Sequence, residues 1–548
     1  MRLNLRPCFL CGRHSTSSTH PIPNRAIRAC TVLLTLLTAA CTTVGPDFQI
    51  PESPVAEEWQ DIDAPQLNKE TADHSEWWSV FGDPILSELI ETAYQQNLSL
   101  RIAAVRILEA RAQLGIAVGN LYPQQQQASG GVIYTSSSES QANTGVGDLS
   151  FTDFDVGLDV AWEMDFWGKF RRGIESADAS FLSSIADYDD VLVSLEADVA
   201  NTYTLIRTFE QRIEIAKQNV EIQKRSVEIA DVLFRNGATT ELDVQQAKSL
   251  LFNTQASIPG FETGLRQTQN ALSILLGLPP GQLEATLRQP ATIPSASADV
   301  AVGIPAEVLR RRPDVKRAEL QAAAQSAIIG VAKADLYPSF ALFGSIGLAA
   351  SSGTNTTRTG ESGFDELLDS DSLFFVGGPT FNWPIFNYGR IRNNVRVQDA
   401  RLQQLLVNYQ NTVLRAAQEA EDSMTAFLRS GEEVGYRIES EKAALRAVDL
   451  ALIQYREGAT DYTTVLNTQQ TLVVSQDQLT AVRGEVAQNL IALYKALGGG
   501  WQMRQGRALL PDSTTEEMRE RTNWGGLLEP HAEMESSTAS EPRRRPDW

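Results

Sequence analysis

The first residues whose chemistry needs placing are the four cysteines, Cys8, Cys11, Cys30 and Cys41. The first 40 residues carry Arg2, Arg6, Arg13, Arg25 and Arg28, no acid, and then the apolar run 31–40 (TVLLTLLTAA). A basic head, an apolar stretch of about ten residues and small residues before the cut describe a secretory signal. The run is too short to span a bilayer, which takes about 20 apolar residues in a helix. Cleavage leaves Cys41 as the first mature residue and the only cysteine, which excludes an internal disulfide or a multi-cysteine metal site. The chemistry left to such a cysteine is acylation. Leu37-Thr38-Ala39-Ala40-Cys41 resembles a bacterial lipobox, with Thr38 where leucine is usual. In that motif the thiol takes a diacylglycerol and the amine a third acyl chain. Three chains exceed what stable anchoring needs. Thr42 follows the cysteine where Asp would signal retention, which in known lipoproteins favours export to the outer membrane.

No other chemistry stands out. The mature histidines are His74 and His531, and no His/Glu metal spacing, GxSxG, P-loop or GxGxxG before a helix occurs. The acids sit on what read as solvated helix faces. The expectation is a protein that is not an enzyme, with no cofactor or metal beyond acyl lipid on Cys41. The 548 residues carry a net charge of −21. Losing the signal removes five arginines and leaves 42 basic against 68 acidic side chains, a net −26. Such a chain does not bind nucleic acid. At 42% hydrophobic and mean hydropathy −0.21 it is also too polar for a bundle of membrane helices.

What positions these residues is a duplication. Asn120-Leu121-Tyr122-Pro123 recurs as Asp335-Leu336-Tyr337-Pro338. Trp162, Trp167-Gly168-Lys169 and Asp178-Ala179 recur as Trp383, Tyr388-Gly389-Arg390 and Asp399-Ala400. Phe234-Arg235-Asn236-Gly237-Ala238-Thr239 recurs as Tyr455-Arg456-Glu457-Gly458-Ala459-Thr460, and Leu276-Gly277 as Leu497-Gly498. From the tryptophans onward every pair keeps one constant offset. The offset is slightly smaller for the Leu-Tyr-Pro pair, so a loop of different length lies between the two. Each half reads as helix, two strands, very long helix, turn and helix.

In the strands, Val156, Leu158, Val160, Trp162 and Met164 alternate with Asp155, Asp159, Glu163 and Asp165, giving an apolar and an acidic face. In half two, Phe340, Leu342, Gly344, Ile346 and Leu348 share a face, and Phe381 and Trp383 close the second strand. A lone hairpin is not stable in water, so other copies or lipid must complete these strands. The long helices, 166–235 and 388–456, would each extend about 105 Å at 1.5 Å per residue. From Leu192 to Phe234 the 3-4 spacing of apolar residues makes a coiled-coil seam. Gly237 and Gly458 end the long helices, and Pro259-Gly260 is expected to interrupt the first returning helix after residue 256.

The organisation expected is a signal over 1–40, a lipidated extended segment over 41–82 and a first repeat over 83–290. Within it, helices cover 83–121, 166–235 and 240–276, and strands lie in 124–164. A linker over 291–302 leads to a second repeat over 303–500. Its helices cover 304–336, 388–456 and 461–497, with strands in 339–386. Residues 501–548 are expected to be a disordered tail.

At this point the chain resembles the TolC-type outer-membrane efflux proteins, in the lipoprotein branch that serves resistance-nodulation-division pumps. The resemblance rests on Cys41-Thr42-Thr43-Val44-Gly45-Pro46-Asp47-Phe48, Arg311-Arg312-Pro313-Asp314-Val315, Gly330 to Ser339, Leu466-Asn467-Thr468-Gln469-Gln470 and the two tips. It covers about residues 41–500. It implies an α+β membrane duct, a homotrimer in which three sets of four strands close a 12-stranded barrel in outer-membrane lipid. Three sets of helices then form a long periplasmic α-helical coiled-coil barrel. It further implies a passive exit duct for small toxic compounds or drugs, working with a periplasmic adaptor and a proton-driven inner-membrane transporter. The alternative is the same duct in type I protein or peptide secretion; a coiled-coil adhesin would leave the duplicated hairpins unexplained.

By that resemblance, adaptor docking falls on Gly237, Ala238, Thr239, Gly458, Ala459 and Thr460, and the constricting network on Tyr455, Arg456, Asp461 and Tyr462. The acidic rings that TolC carries past the second tip fall here on Thr464 and Asn467, uncharged residues, so no carboxylate ring is expected at those positions, and Asp461 is the candidate to substitute. With Val156 to Met164 facing lipid, Asp155, Asp159 and Glu163 face water inside the barrel and predict a cation-favouring pore.

Overall fold

The computed structural model describes residues 43–52, 55–68, 74–140, 148–283, 287, 292–295, 300–303, 305–354 and 361–529. The signal and Cys41 lie outside the described residues, as does the tail from 530 onward.

The first repeat starts with α1 (Pro84–Gln96) and α2 (Leu98–Gly119). Asp83 caps α1, its Oδ1 accepting from the amides of Ile85 and Leu86 at 2.9 and 3.3 Å. One helix over 83–121 was expected, but Asn97 divides it. Its backbone is extended, its Oδ1 caps α2 at the Leu100 amide (2.8 Å), and its Nδ2 donates to Leu275 O (2.8 Å). The strands β2 (Gln125–Ser136) and β3 (Ser150–Met164) follow β1 (Leu67–Asn68) in chain order. Then come α3 (Lys169–Arg235) and α4 (Glu241–Leu275). The linker contains β4 (Val300–Ala301), which pairs in parallel with β1.

The second repeat has α5 (Pro305–Arg311), α6 (Pro313–Ala334), β5 (Ser339–Thr354), β6 (Leu373–Asn382), α7 (Arg390–Arg456) and α8 (Tyr462–Ala496). Here too the expected helix, 304–336, is two: Arg312 precedes a proline and is driven to extended backbone. Asn97 and Arg312 stand at the offset that separates the two Leu-Tyr-Pro motifs, so the breaks are repeat equivalents. The long helices α3 and α7 have 67 residues each, about 100 Å.

Pro259 does not end the returning helix; α4 runs through it for 35 residues. Proline removes one backbone donor. The helix is held on either side of it, by Leu250, Leu251 and Thr254 and by Thr268 and Leu272, all buried.

The four long strands form one antiparallel sheet in the order β2-β3-β5-β6. The register aligns Val156 with Leu348, Leu158 with Ile346 and Trp162 with Leu342, then Ile346 with Phe375 and Phe340 with Phe381. One face is therefore apolar and exposed along its length. Asp153, Asp155, Asp159 and Glu163 share the other with Gln127, Ser345 and Ser351; Phe343, Phe374 and Val376 interrupt its polarity. Trp162 Nε1 donates to Leu121 O and its repeat equivalent Trp383 to Leu336 O, both at 3.1 Å, fixing each half of the sheet to the helix before it.

The main core gathers α1, α2, α5, α6, the upper part of α3, the middle of α7 and the end of α8. The segment 501–529 belongs to it, contrary to the expected disorder: the turn Trp501–Arg504 packs on α3, the turn Gly525–Leu528 on α2, and α9 (Asp512–Arg521) contributes Met518 to the core. Its polar composition hid three attachments. Arg504 is ion-paired with Asp189 in the interior, Arg111 Nη1 donates to Leu527 O at 2.8 Å, and Leu510 and Met518 are buried.

Beside this pair lies Glu196, 1% exposed, whose Oε2 accepts from Trp77 Nε1 at 3.3 Å. Burial raises the Glu196 carboxyl well above its usual range and that of Asp189 to about 6, against the pull of Arg504. Both groups hold a proton more tightly in the folded chain than in the unfolded one. Their stabilisation is complete below the unfolded pKa and is lost as pH rises through the folded one, for Asp189 at about 6. The thermal midpoint should rise as pH falls from 7 to 5. Glu196→Gln, which keeps the shape and has no proton to lose, should raise the midpoint at pH 7 and flatten that slope. An unchanged slope in the variant rules Glu196 out as its source.

Candidate functional site

The two helical turns farthest from the sheet are built alike. After α3, the amides of Asn236, Gly237 and Ala238 donate to Val232 O, Phe234 O and Leu233 O at 3.1, 2.9 and 2.9 Å. After α7, those of Glu457, Gly458 and Ala459 donate to Ile453 O, Tyr455 O and Gln454 O at 3.1, 3.0 and 2.8 Å. Gly237 and Gly458 take φ of +74° and +72°, the left-handed conformation that such an end requires. A Cβ at either would meet nothing within 4 Å, so both turns face open space.

Behind the turns is a separate small core of Ala230, Val244, Ala247, Ala451, Tyr455, Tyr462 and Val465. Of the four residues expected to constrict the duct, the structure brings together Tyr455 and Tyr462, their rings edge-to-face with centroids 5.3 Å apart. It does not bring Arg456 or Asp461 to them. Arg456 faces its neighbour Glu457 at 3.7 Å. Asp461 caps α8 by accepting from the Thr464 amide and hydroxyl, both at 3.2 Å.

Two residues complete the cluster in their place. The Tyr455 hydroxyl donates towards Asp243 Oδ2 at 3.4 Å and lies 3.5 Å from Thr239 Oγ1, which itself donates to Asp243. Sequence reasoning did not place Asp243 among the constricting residues; the signal was an acid in the first turn of α4, almost a full repeat away from its tyrosine. Burial raises both tyrosine hydroxyls, so they stay protonated donors at neutral pH. The Tyr462 hydroxyl is buried without a partner among the described residues.

Between the tip core and the main core the α3–α8 seam turns polar. Asn219 Nδ2 donates to Gln476 Oε1 at 2.7 Å, and Gln469 Nε2 to Ser226 Oγ at 2.6 Å. Gln223, fully buried, has neither amide atom bonded among the described residues. Unsatisfied buried groups cost about 1–3 kcal/mol each, so this layer holds the tips more loosely than an apolar seam would.

At the far end, the apolar face of the sheet and its two edge strands need partners, and no helix among the described residues is long and apolar enough to cross a membrane. Strands exposing one apolar face cross lipid only as a closed barrel, where every backbone group is paired. The outer membrane efflux protein family profile matches residues 89–278 and 304–499, the two repeats. The chain belongs to that family. It is an efflux channel of the outer membrane.

The pyoverdine export outer membrane protein OpmQ of Pseudomonas putida is 32% identical over 482 residues, 86% of this chain and 97% of that protein. Nodulation protein T of Rhizobium leguminosarum biovar viciae is 30% identical over 478 residues, 87% of this chain and 94% of that one. The solved outer-membrane channel OprN superimposes with a TM-score of 0.77 at 30% identity, covering 84% of this chain and 99% of its own. This efflux channel thus shares the duplicated fold along the whole length of its relatives.

Proposed function

We propose that the chain is the passive exit duct of a tripartite efflux pump, a homotrimer anchored by acylated Cys41. An adaptor docks on its tips, and small toxic or secreted organic compounds are its cargo. The observation that carries this is the pairing of an open four-stranded sheet, apolar on one face, with two matched tips about 100 Å of helix away. The relative named for pyoverdine export supports small secreted molecules over proteins as cargo.

Repeat symmetry supports the trimer. Trp167, just after the strands of half one, stacks on Tyr337 with centroids 4.6 Å apart and donates to Pro338 O at 2.8 Å. Its equivalent Tyr388, just after the strands of half two, is 103% exposed beside the open edge β6. The matching acceptor surface is Tyr122-Pro123 of the next copy.

Deleting the gene should raise accumulation of dyes and antibiotics in cells, and the wild-type gene should restore efflux. Unchanged accumulation while the protein is expressed points to protein secretion instead.

The tip cluster supports a closed resting state. Tyr455→Phe with Asp243→Asn removes the donor and the charge that hold the end of α7 to the start of α4 between the two tips, and single-channel conductance in planar bilayers should rise several-fold. The same recordings test the lumen: reversal potentials should favour cations, and Asp155→Asn, Asp159→Asn and Glu163→Gln together should weaken that preference. An anion preference in the wild type overturns the assignment of those acids to the lumen.

A further inference from the structure

The two halves differ in charge where their long helices leave the sheet. In half one every cation there has a carboxylate. Lys169 Nζ is 3.0 Å from Asp335, Arg171 Nε 3.1 Å from Asp165, and Arg172 2.7 Å from both Asp47 and Glu175. The equivalent positions of half two hold Arg390, Arg392 and Asn393, with Phe386 in place of Asp165 and Arg396 in place of Glu175. Among the described residues no carboxylate pairs with Arg390, Arg392 or Arg396; Arg396 donates only to Asn393 Oδ1, at 3.0 Å. A chain of net charge −21 thus leaves three arginines without acids on the first two turns of α7. Cations there also oppose the helix dipole, which an anion would relieve.

The leading segment identifies the outer face at this level. Thr43 to Gly45 cross α3 and α6 closely: a Cβ on Gly168 would lie 2.6 Å from Thr43 Cγ2, and one on Gly330 2.7 Å from Val44 O. Val44 N donates to Trp167 O at 3.0 Å, and Arg172 holds Asp47. Cys41 stands two residues before Thr43 in sequence, so the acylation proposed above would tie this face to the periplasmic leaflet. On α7 the matching positions are Gly389 and Asn393. Among the described residues no leading segment crosses there, and a Cβ on Gly389 would meet only Asn393.

Arg392 and Arg396, four residues apart, share one side of α7. Their equivalents in half one show what a neighbouring copy leaves open. Flanked by α2 and α6, the side chains of Arg171 and Glu175 remain 34% and 41% exposed. Between β6 and α7, Ile385 and Phe386 are 65% and 91% exposed, apolar side chains next to the end of the sheet.

We propose that Arg392 and Arg396 bind the phosphodiester headgroup of an anionic phospholipid of the phosphatidylglycerol class in the periplasmic leaflet, with Ile385 and Phe386 against its acyl chains. Charge complementarity and adjacency to the lipid-facing sheet select that occupant. The inference rests on the reading of the chain as an anchored trimeric duct.

The test is native mass spectrometry of the detergent-purified trimer titrated with phosphatidylglycerol or phosphatidylethanolamine. Up to three phosphatidylglycerol molecules should bind per trimer in preference to phosphatidylethanolamine. Arg392→Gln with Arg396→Gln should weaken that binding about 25-fold, roughly five-fold per arginine near an anionic surface. Arg415→Gln with Arg446→Gln, which removes equal charge farther along α7, should leave it unchanged.

A trimer that binds both lipids equally, prefers lipid A, or keeps its selectivity in the Arg392/Arg396 variant overturns this site alone. A wild-type chain that forms no trimer overturns the duct reading, and this inference with it.

Discussion

Replacing Gly458 with tryptophan is expected to raise drug accumulation to the level of the deletion strain while leaving a folded trimer in the outer membrane. Gly458 has φ of +72°, so any side chain there carries left-handed strain of about 1–2 kcal/mol. That strain is small against a core that never touches the position, since a Cβ at Gly458 meets nothing within 4 Å. The damage should fall on whatever docks over the turn. An indole in a packed interface costs about 1–3 kcal/mol at each site, and three linked sites in a trimer multiply the loss. Gly458→Ala separates the causes, because it carries the strain without the bulk and should retain most efflux. Equal efflux from the tryptophan variant and wild type, at matched expression, removes the second tip from the docking surface. Conductance of the purified variant in bilayers should stay at the wild-type value, which distinguishes lost docking from a blocked or misfolded pore.

The repeat was legible because its landmarks do the same job twice. Leu121 and Leu336 present carbonyls to Trp162 and Trp383, so the spacing of leucine and tryptophan in each half carries structural information. Turn glycines and period-two strands follow local rules and were readable for that reason. The break at Arg312 carries a local signal too, since Pro313 suits a first helical position and drives the residue before it to extended backbone. The hold on Asn97 is tertiary, through Leu275 O, and no local rule announces it.

The tip cluster shows the same limit. Tyr455 was readable as a tip residue, but its partner Asp243 lies 212 residues away in sequence. Arg456 and Asp461 were nominated as tip residues; within the protomer Arg456 faces Glu457 and Asp461 caps α8. The folded segment after 500 escaped notice because few of its residues are apolar; those few, with Arg504, are the ones that attach it.

Arg504 is the residue on which that attachment depends most, and Arg504→Ala should destabilise the protein by about 3–5 kcal/mol, the cost of leaving a buried charge unpaired. Arg504 and Asp189 are 1% and 4% exposed, with the second contact, Nη2 to Oδ2, at 3.1 Å. Without the guanidinium, Asp189 remains against Tyr188 in the core, where burial already holds its carboxyl up to about 6. Removing its partner must raise it further, because the attraction that opposed burial is gone. The defect should therefore be larger at pH 8, where the lone carboxylate is forced to ionise or unfold, than at pH 5, where it can take a proton. Asp189→Leu with Arg504→Met replaces both charges by apolar groups of similar size and should come within about 1–2 kcal/mol of wild type or exceed it. Thermal unfolding of the purified trimer measures the size of each effect, and protease cleavage after residue 500 reports whether this segment is what lets go. If Arg504→Ala melts with wild type at pH 8, the pair does not hold the segment. If the single and double variants are equally unstable, what matters at this position is packing against Trp501, over whose ring the Arg504 guanidinium lies at 5.9 Å, and charge pairing with Asp189 is secondary.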